Sequence, residues 1–232
     1  MIIGSGLLAR GFGTRFGDRT DVVLFASGVS NSLETRQQEF IREKNLLQQQ
    51  QAQRPAQLVY FSSCGVVENT GQTTPYMHHK REMEALVLGM PRGVVVRLPQ
   101  IVGPTPNPHT LTNYLRDRIL SGERFPVWAK AERNLLDVVD LVAIASALID
   151  DGGLEERLVS IASGETLPMP DIVKIFEHVL ERRADFIIED KGAPLVVDNR
   201  LALRLGSRLG IDLGHGYSER IVRKYYAPDK RD

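Results

Sequence analysis

The segments "DVVLFASG" (21–28), "QLVYFSS" (57–63) and "GVVVRL" (93–98) each carry an uninterrupted apolar run, and these runs restrict the folds open to the chain. A strand with one wet face alternates apolar and polar residues. A strand apolar at every position is covered on both faces, as in a parallel sheet. Parallel neighbours cannot be joined by tight hairpins and need crossover connections. Helix-length segments stand between these runs, so the pattern predicts a parallel sheet with helices on both faces.

The rest of the chain fits that scheme. "MIIGSG" predicts a short first strand ending in glycines, and "LLARGFGTRF" a short helix weakened by Gly11 and Gly13. "SNSLETRQQEFIREKNLLQQQQAQ" predicts a long helix with Ser and Asn caps and apolar residues at 33, 40, 41, 46 and 47. Its glutamine run reads as the solvated last turns, with a polyglutamine interaction tract as the second reading. A loop is expected from 64 to 75, then a helix, "YMHHKREMEALVLG", closed by Gly89. "PQIVGPTPNPHT" is too rich in proline for regular structure. A helix over about 110–121, a strand at "FPVW" and the strand-then-helix "RNLLDVVDLVAIASALI" follow. "RLVSIA" and "DFIIED" read as strands flanking the helix "PDIVKIFEHVLERR", and two short helical stretches close the chain. We expect a core over 1–150 that includes a substrate-loop insert at 98–133, and a C-terminal extension over 151–232 that contributes to a small lobe.

Composition excludes several function classes. With 232 residues and 42% apolar content, the chain can bury a sizeable core. Twenty-nine basic residues balance twenty-nine acidic ones, so no net field gathers nucleic acid or an anionic membrane. The single cysteine, Cys64, forms no intrachain disulfide, and the five histidines lack metal-ligand spacing, so no metal is expected. The start of the chain lacks the features of a signal peptide, and no apolar run approaches membrane-spanning length. A soluble, cytoplasmic protein is expected.

Two motifs carry chemistry. "GSGLLA" (4–9) follows the first strand and opens the first helix, fitting G-x-G-x-x-A. Glycines there make a tight turn and let backbone N–H groups reach a pyrophosphate, although a plain glycine turn has the same pattern. One element of a dinucleotide site is missing. Only "GTRFGDRT" separates the first helix from the next buried strand, which leaves no room for second and third strands or for the acidic ribose clamp that ends the second. Asp18 and Asp21 come too early for that role, and Arg10, Arg15 and Arg19 are available only for phosphate contacts.

The second motif is "SSCGVVENTGQTTPYMHHK" (62–80). Its serines end a buried strand at the edge where parallel sheets build sites. Tyr76 then opens a helix, and Lys80 lies one turn on, on the same face. An ammonium near a phenol favours phenolate, which lets the phenol exchange a proton with a substrate hydroxyl. Tyr-x-x-x-Lys also occurs on ordinary helices; Ser63 on the preceding strand favours the chemical reading.

With these motifs in order, the chain resembles an extended short-chain dehydrogenase/reductase of the NAD-dependent epimerase/dehydratase group, in the shortened bacterial form found with surface-polysaccharide genes. "GSGLLA" matches the cofactor glycines, "DVVLFASG" the strand passing the cofactor ribose, "LVYFSSCGVV" the serine strand and "YMHHK" the tyrosine–lysine motif. "VVVRLPQIVGP" is similar to the strand and loop past nicotinamide and sugar, and "RNLLDVVDLV" to the motif whose arginine meets the nucleotide diphosphate.

The resemblance implies Ser63, Tyr76 and Lys80 as catalytic residues. It implies NAD or NADP held by Gly4, Ser5, Gly6, Leu7, Leu8, Ala26, Ser27, Gly28, Tyr76, Lys80 and Pro99. A nucleotide-sugar substrate would meet Cys64, Gln100, His109 and Arg133. Gln100 and Glu39 both stand where many relatives carry asparagine. A homodimer is implied through the helices of about 32–52 and 76–89, with Phe40, Leu47, Met83 and Leu86 as contacts, or as side chains packed on the sheet. The alternative is a non-catalytic member that binds a nucleotide sugar or a partner. His78 and His79 read as helix-surface or packing residues ahead of a substrate contact, Cys64 also as packing ahead of a nucleophile, Trp128 as packing of the lobe ahead of stacking on a nucleotide base, and His109 as a sugar or diphosphate contact or a helix cap.

Overall fold

The fold turns on the first strand, which lies at the edge of the main sheet. In the computed structural model, which describes residues 1–53, 55–67, 73–151 and 156–228, five parallel strands are ordered β1-β2-β3-β4-β8. They are β1 (Ile2–Ile3), β2 (Val23–Phe25), β3 (Leu58–Ser63), β4 (Gly93–Leu98) and β8 (Leu158–Ser160). Helix α1 (Leu7–Phe16) and the short connection over 17–22 lead straight from β1 to β2, which pair at Ile2–Leu24 and Ile3–Phe25. No strand lies beyond β1 among the described residues, as the short gap predicts.

Both faces of the sheet are covered, which accounts for the continuous apolar runs. Val23, Phe25, Leu58, Tyr60 and Val95 point to one face, where Leu47, Met83 and Val87 meet them. Those three residues come from α2 (Gln37–Ala52) and α3 (Pro75–Leu88). Leu24, Val59, Phe61, Val94 and Val96 point to the other face, with Phe12 and Phe16 of α1 and Leu141, Ile144 and Leu148 of α5 (Val138–Asp150). The rings of Phe12 and Phe61 stack at 5.2 Å, fastening α1 to β3.

Beyond β4, β5 (Gln100–Val102), β7 (Glu132–Asp137) and β9 (Thr166–Pro168) form a three-stranded sheet, and β6 (Phe125–Trp128) pairs with β10 (Phe186–Glu189). Helices α4 (Leu111–Ser121), α6 (Met169–Leu180), α7 (Arg200–Arg208) and α8 (Tyr217–Tyr226) complete the described elements, and the main sheet takes β8 from beyond residue 150.

Several sequence expectations need correction. Helix α2 starts at Gln37 behind Arg36, not at the Ser and Asn residues of 30–32, so Leu33 lies outside it at 80% exposure. The proline-rich stretch contains β5, because its residues pair with β7 at Gln100–Leu135. On β6 the alternation sends Phe125 and Val127 inward and leaves Trp128 42% exposed, so Trp128 is not a packing residue of the lobe. Leu47 and Met83 are wholly buried on the sheet within one chain and cannot serve as dimer contacts. The middle of the expected 64–75 loop, residues 68–72, lies outside the described residues; Cys64–Val67 form a 3-10 turn.

Candidate active site

Because β1 to β4 are mutually parallel, their carboxyl ends share one edge. The glycine turn follows β1 there, Ala26 to Gly28 follow β2, Ser63 ends β3, and Pro99 and Gln100 follow β4. Ser63 pairs in register with Leu98, which brings the serine strand beside Pro99.

Gly4 adopts φ 131°, a conformation closed to most residues, and a Cβ there would meet the Ala26 carbonyl oxygen at 2.4 Å. The turn after β1 therefore closes directly on the end of β2. Gly6 is the N-cap of α1, a Cβ there would meet nothing within 4 Å, and the first-turn amides, including those of Leu7 and Leu8, receive no side-chain cap from it. Ser5 is exposed, and its carbonyl accepts a hydrogen bond from Arg10 at 3.1 Å.

Helix α3 starts where its sequence dictates. Pro75 occupies the first turn, where its missing N–H costs nothing, and Thr74 Oγ1 accepts from the Met77 amide at 3.2 Å. Tyr76 is 8% exposed and packs with Val29, Met77 and Phe40. Lys80 Nζ lies 5.7 Å from the centre of the Tyr76 ring. At Gly28 a Cβ would come within 2.7 Å of Lys80 Nζ, so the β2 loop closes over the lysine because it carries no side chain there. Ser63 is half-buried, and its Oγ accepts from the Gly65 amide at 3.1 Å.

The sequence reading missed the groups around that lysine. Lys80 is 2% exposed; its Nζ lies 3.0 Å from Glu43 Oε1 and 3.0 Å from the Tyr60 hydroxyl. Glu43, on α2, is fully buried. Its carboxylate accepts from Tyr60 Oη at 2.6 Å and from the Val29 amide at 2.6 Å, and His79 Nε2 is 3.0 Å away. Burial alone would raise the Glu43 carboxyl, but the Lys80 charge and the donors from His79, Tyr60 and Val29 outweigh it and hold it at about 2. The Tyr60 phenol is pushed well above its ordinary value by burial and by Glu43, so it keeps its proton and donates it. Glu39, singled out from the sequence, instead pairs with Arg42 at 3.1 Å, and Arg42 in turn reaches the Ser27 carbonyl after β2 at 3.4 Å. The available signal was the spacing: position 43 follows Phe40 by three and precedes Leu47 by four, placing a charge on the buried stripe.

The two histidines part company, His78 being exposed and His79 3% exposed and stacked on Phe40 at 4.6 Å. Cys64 is 2% exposed, and burial pushes its thiol up to about 12. Gln100 is half-buried at the start of β5. His109 is exposed, and Thr110, not His109, caps α4 by accepting from the Asn113 amide. Arg133, on β7, donates to the Glu132 carbonyl at 2.7 Å. A cleft of about 350 Å³ opens elsewhere, beside Asp137, Asp140, Tyr217, Arg220 and Lys224. Lys224 pairs with Asp137 at 2.6 Å and Tyr217 donates to Asp140 at 2.6 Å, so these groups satisfy one another. The serine that ends β3 and the tyrosine–lysine turn that opens α3 lie in the segments leaving the sheet edge instead.

The fold is similar to that of several solved proteins. RMD from Pseudomonas aeruginosa, solved with NADPH, superposes over 96% of this chain and 96% of its own with a TM-score of 0.68 at 17% identity. UDP-glucuronic acid 4-epimerase from Bacillus cereus, solved with UDP-glucuronic acid and NAD, covers 88% of this chain and 74% of its own, with a TM-score of 0.67 at 16% identity. UDP-glucose-4-epimerase from Stenotrophomonas maltophila, with NAD and formylated UDP-arabinopyranose, gives 0.67 at 20% identity over 88% and 75%. At these identities the likeness establishes a Rossmann-like α/β fold. No curated protein matches the sequence. The profile of the "NAD dependent epimerase/dehydratase family" matches residues 15–162, well over half of the chain, and the chain belongs to that family.

Proposed function

We propose that this chain is an NAD(P)-dependent enzyme of the epimerase, dehydratase or reductase type, acting on a nucleotide-linked sugar in bacterial surface-polysaccharide synthesis. The observation that carries the reading is the Tyr76–Lys80 turn at the carboxyl edge of the sheet, with Ser63 on the adjoining strand and Gly28 closed over the lysine.

The residues fit one half of a dinucleotide. The uncapped start of α1, open beside Gly6, suits a pyrophosphate, with donors from Leu7 and Leu8. Ala26, Ser27, Gly28, Lys80 and Pro99 would hold the nicotinamide ribose. Among the described residues the adenosine half has no acidic ribose clamp at the end of a second strand, because β1 is the edge strand. When bound, nicotinamide supplies a hydride acceptor or donor. Tyr76 then moves the proton of the reacting sugar hydroxyl, Lys80 stabilises the phenolate, and Ser63 orients the oxygen. Gln100, Arg133, His109 and the backbone at Cys64 are the groups offered to the nucleotide sugar.

A homodimer through α2 and α3 completes the proposal, in the cytoplasm. Leu47 and Met83 being internal, the apolar side chains left for a second copy on these helices are Ile41, 48% exposed, and the partly buried Phe40 and Leu86.

The missing clamp supports a second reading, a non-catalytic member that binds a nucleotide sugar or a partner. Heating the protein with NAD(H) or NADP(H) separates the two, since a bound ligand raises the midpoint by an amount that grows with the logarithm of its concentration over its Kd. Stabilisation by either dinucleotide, followed by conversion of a nucleotide sugar, is the expected result. Stabilisation by nucleotide sugars alone would replace the enzyme with the binding protein.

A further inference from the structure

Glu43 has no part in the chemistry above, yet the densest buried polar cluster of the site is built around it. Two carboxylate oxygens receive Lys80 at 3.0 Å, the Tyr60 hydroxyl at 2.6 Å, the Val29 amide at 2.6 Å and His79 at 3.0 Å. Among the described residues no other carboxylate pairs with Lys80. From β3 comes Tyr60, a protonated phenol. From its own helix come Tyr76, His79 and Glu84, and Glu84 is taken by Arg97 of β4 at 2.6 Å and by Ser62 at 2.6 Å. Arg42 of α2 sits at the rim, paired with Glu39.

An ammonium withdrawn from water costs several kcal/mol or gives up its proton, unless an opposite charge meets it. We propose that Glu43 is the positioning residue of the Tyr76–Lys80 pair: its buried carboxylate keeps Lys80 an ammonium inside the core and holds it against Gly28, facing the Tyr76 ring. Of the three N–H groups on Lys80, one goes to Glu43 and one to the Tyr60 oxygen, whose own proton is given to Glu43. The third is the only one a ribose could take, and only from beside Gly28, which covers the lysine. The ligand part of the inference rests on the function proposed above; the charge part does not.

The test is Glu43→Gln, which keeps shape and removes charge. In ligand-free protein carrying ¹³C-labelled lysine, with Lys80 assigned through Lys80→Arg, the Lys80 Cε signal reports its proton directly. Lys80 in Glu43→Gln should lose its proton at lower pH than in the parent, by about one unit or more. Affinity for NADH and NADPH should then fall more steeply with rising pH, roughly tenfold beyond the parent. Glu43→Asp, which keeps the charge, should restore most of both. Titration of Lys80 at the parental pH in Glu43→Gln would overturn the proposal. Should Glu43→Gln not fold, Glu43→Gln/Lys80→Met removes the orphaned charge as well. Recovery of folding in that double variant supports the assignment, and continued failure defeats it. A parent that binds neither dinucleotide defeats the proposed function, while the Lys80 titration still decides the role of Glu43.

Discussion

Lys80 and Glu43 meet at 3.0 Å with their side chains 3% and 0% exposed, an ion pair closed inside the protein beneath the β2 loop. Removing one partner of such a pair leaves the other charge stranded. Lys80→Met should therefore cost about 3–5 kcal/mol of stability, read from urea unfolding, in addition to any loss of cofactor affinity. A loss below about 1 kcal/mol, the range of exposed pairs, would show that the lysine reaches water in solution.

Acid should act through the same carboxylate. Glu43 is held at about 2 against an ordinary 4.5, so the stability it contributes is complete above the ordinary value and is lost as pH falls toward 2. That difference corresponds to roughly 3 kcal/mol. Over this acid range the wild type should lose about that much relative to Glu43→Gln/Lys80→Met, which has no such titration. Parallel stability curves for the two proteins would contradict it.

Tyr76→Phe removes one oxygen and leaves the ring packed against Val29 and Met77. Turnover of the nucleotide sugar should drop by about 10²–10⁴, with thermal midpoint and dinucleotide affinity nearly unchanged. Undiminished turnover would remove Tyr76 from the chemistry.

Gly28→Ala places a methyl 2.7 Å from Lys80 Nζ and 3.0 Å from Glu43 Oε1. Overpacking at a pinned charge pair should cost about 1–3 kcal/mol and displace the ammonium, weakening NAD(P)H binding. Calorimetry showing parental affinity would mean that the loop moves aside freely.

Leu47→Ala distinguishes core from interface. As a fully buried residue on the sheet it should cost about 2–5 kcal/mol of stability without altering the mass seen in light scattering. Ile41→Glu should do the reverse, lowering the mass of a dimer while sparing the fold.

The main architecture was legible because it is written locally. Runs such as "VVLF" and "GVVV" report burial on both faces whatever covers them, and the short link over 17–22 excludes extra strands by length alone. The glycine turn, the Thr74–Pro75 helix start and the one-turn spacing of Tyr76 and Lys80 are likewise properties of neighbouring residues. Short strands were less legible: β5 and β9, of three residues each, exist because β7 pairs with both, which no local pattern encodes.

What only the tertiary structure decided is which groups the lysine meets. Lys80 and Glu43 are 37 positions apart, on two helices that reach each other because both pack their apolar stripes on one face of the sheet. Phe40, Glu43 and Leu47 share one stripe of α2, so the packing of Leu47 on the sheet carries Glu43 into the interior, where Tyr60, His79 and the Val29 amide also arrive from distant segments. From the sequence, spacing sets Glu43 on the apolar stripe of the helix but names no partner for it or for Glu39. The sheet turns Glu39 toward Arg42 and water and buries Glu43, and the free energy of burying a charge then demands the lysine beside it.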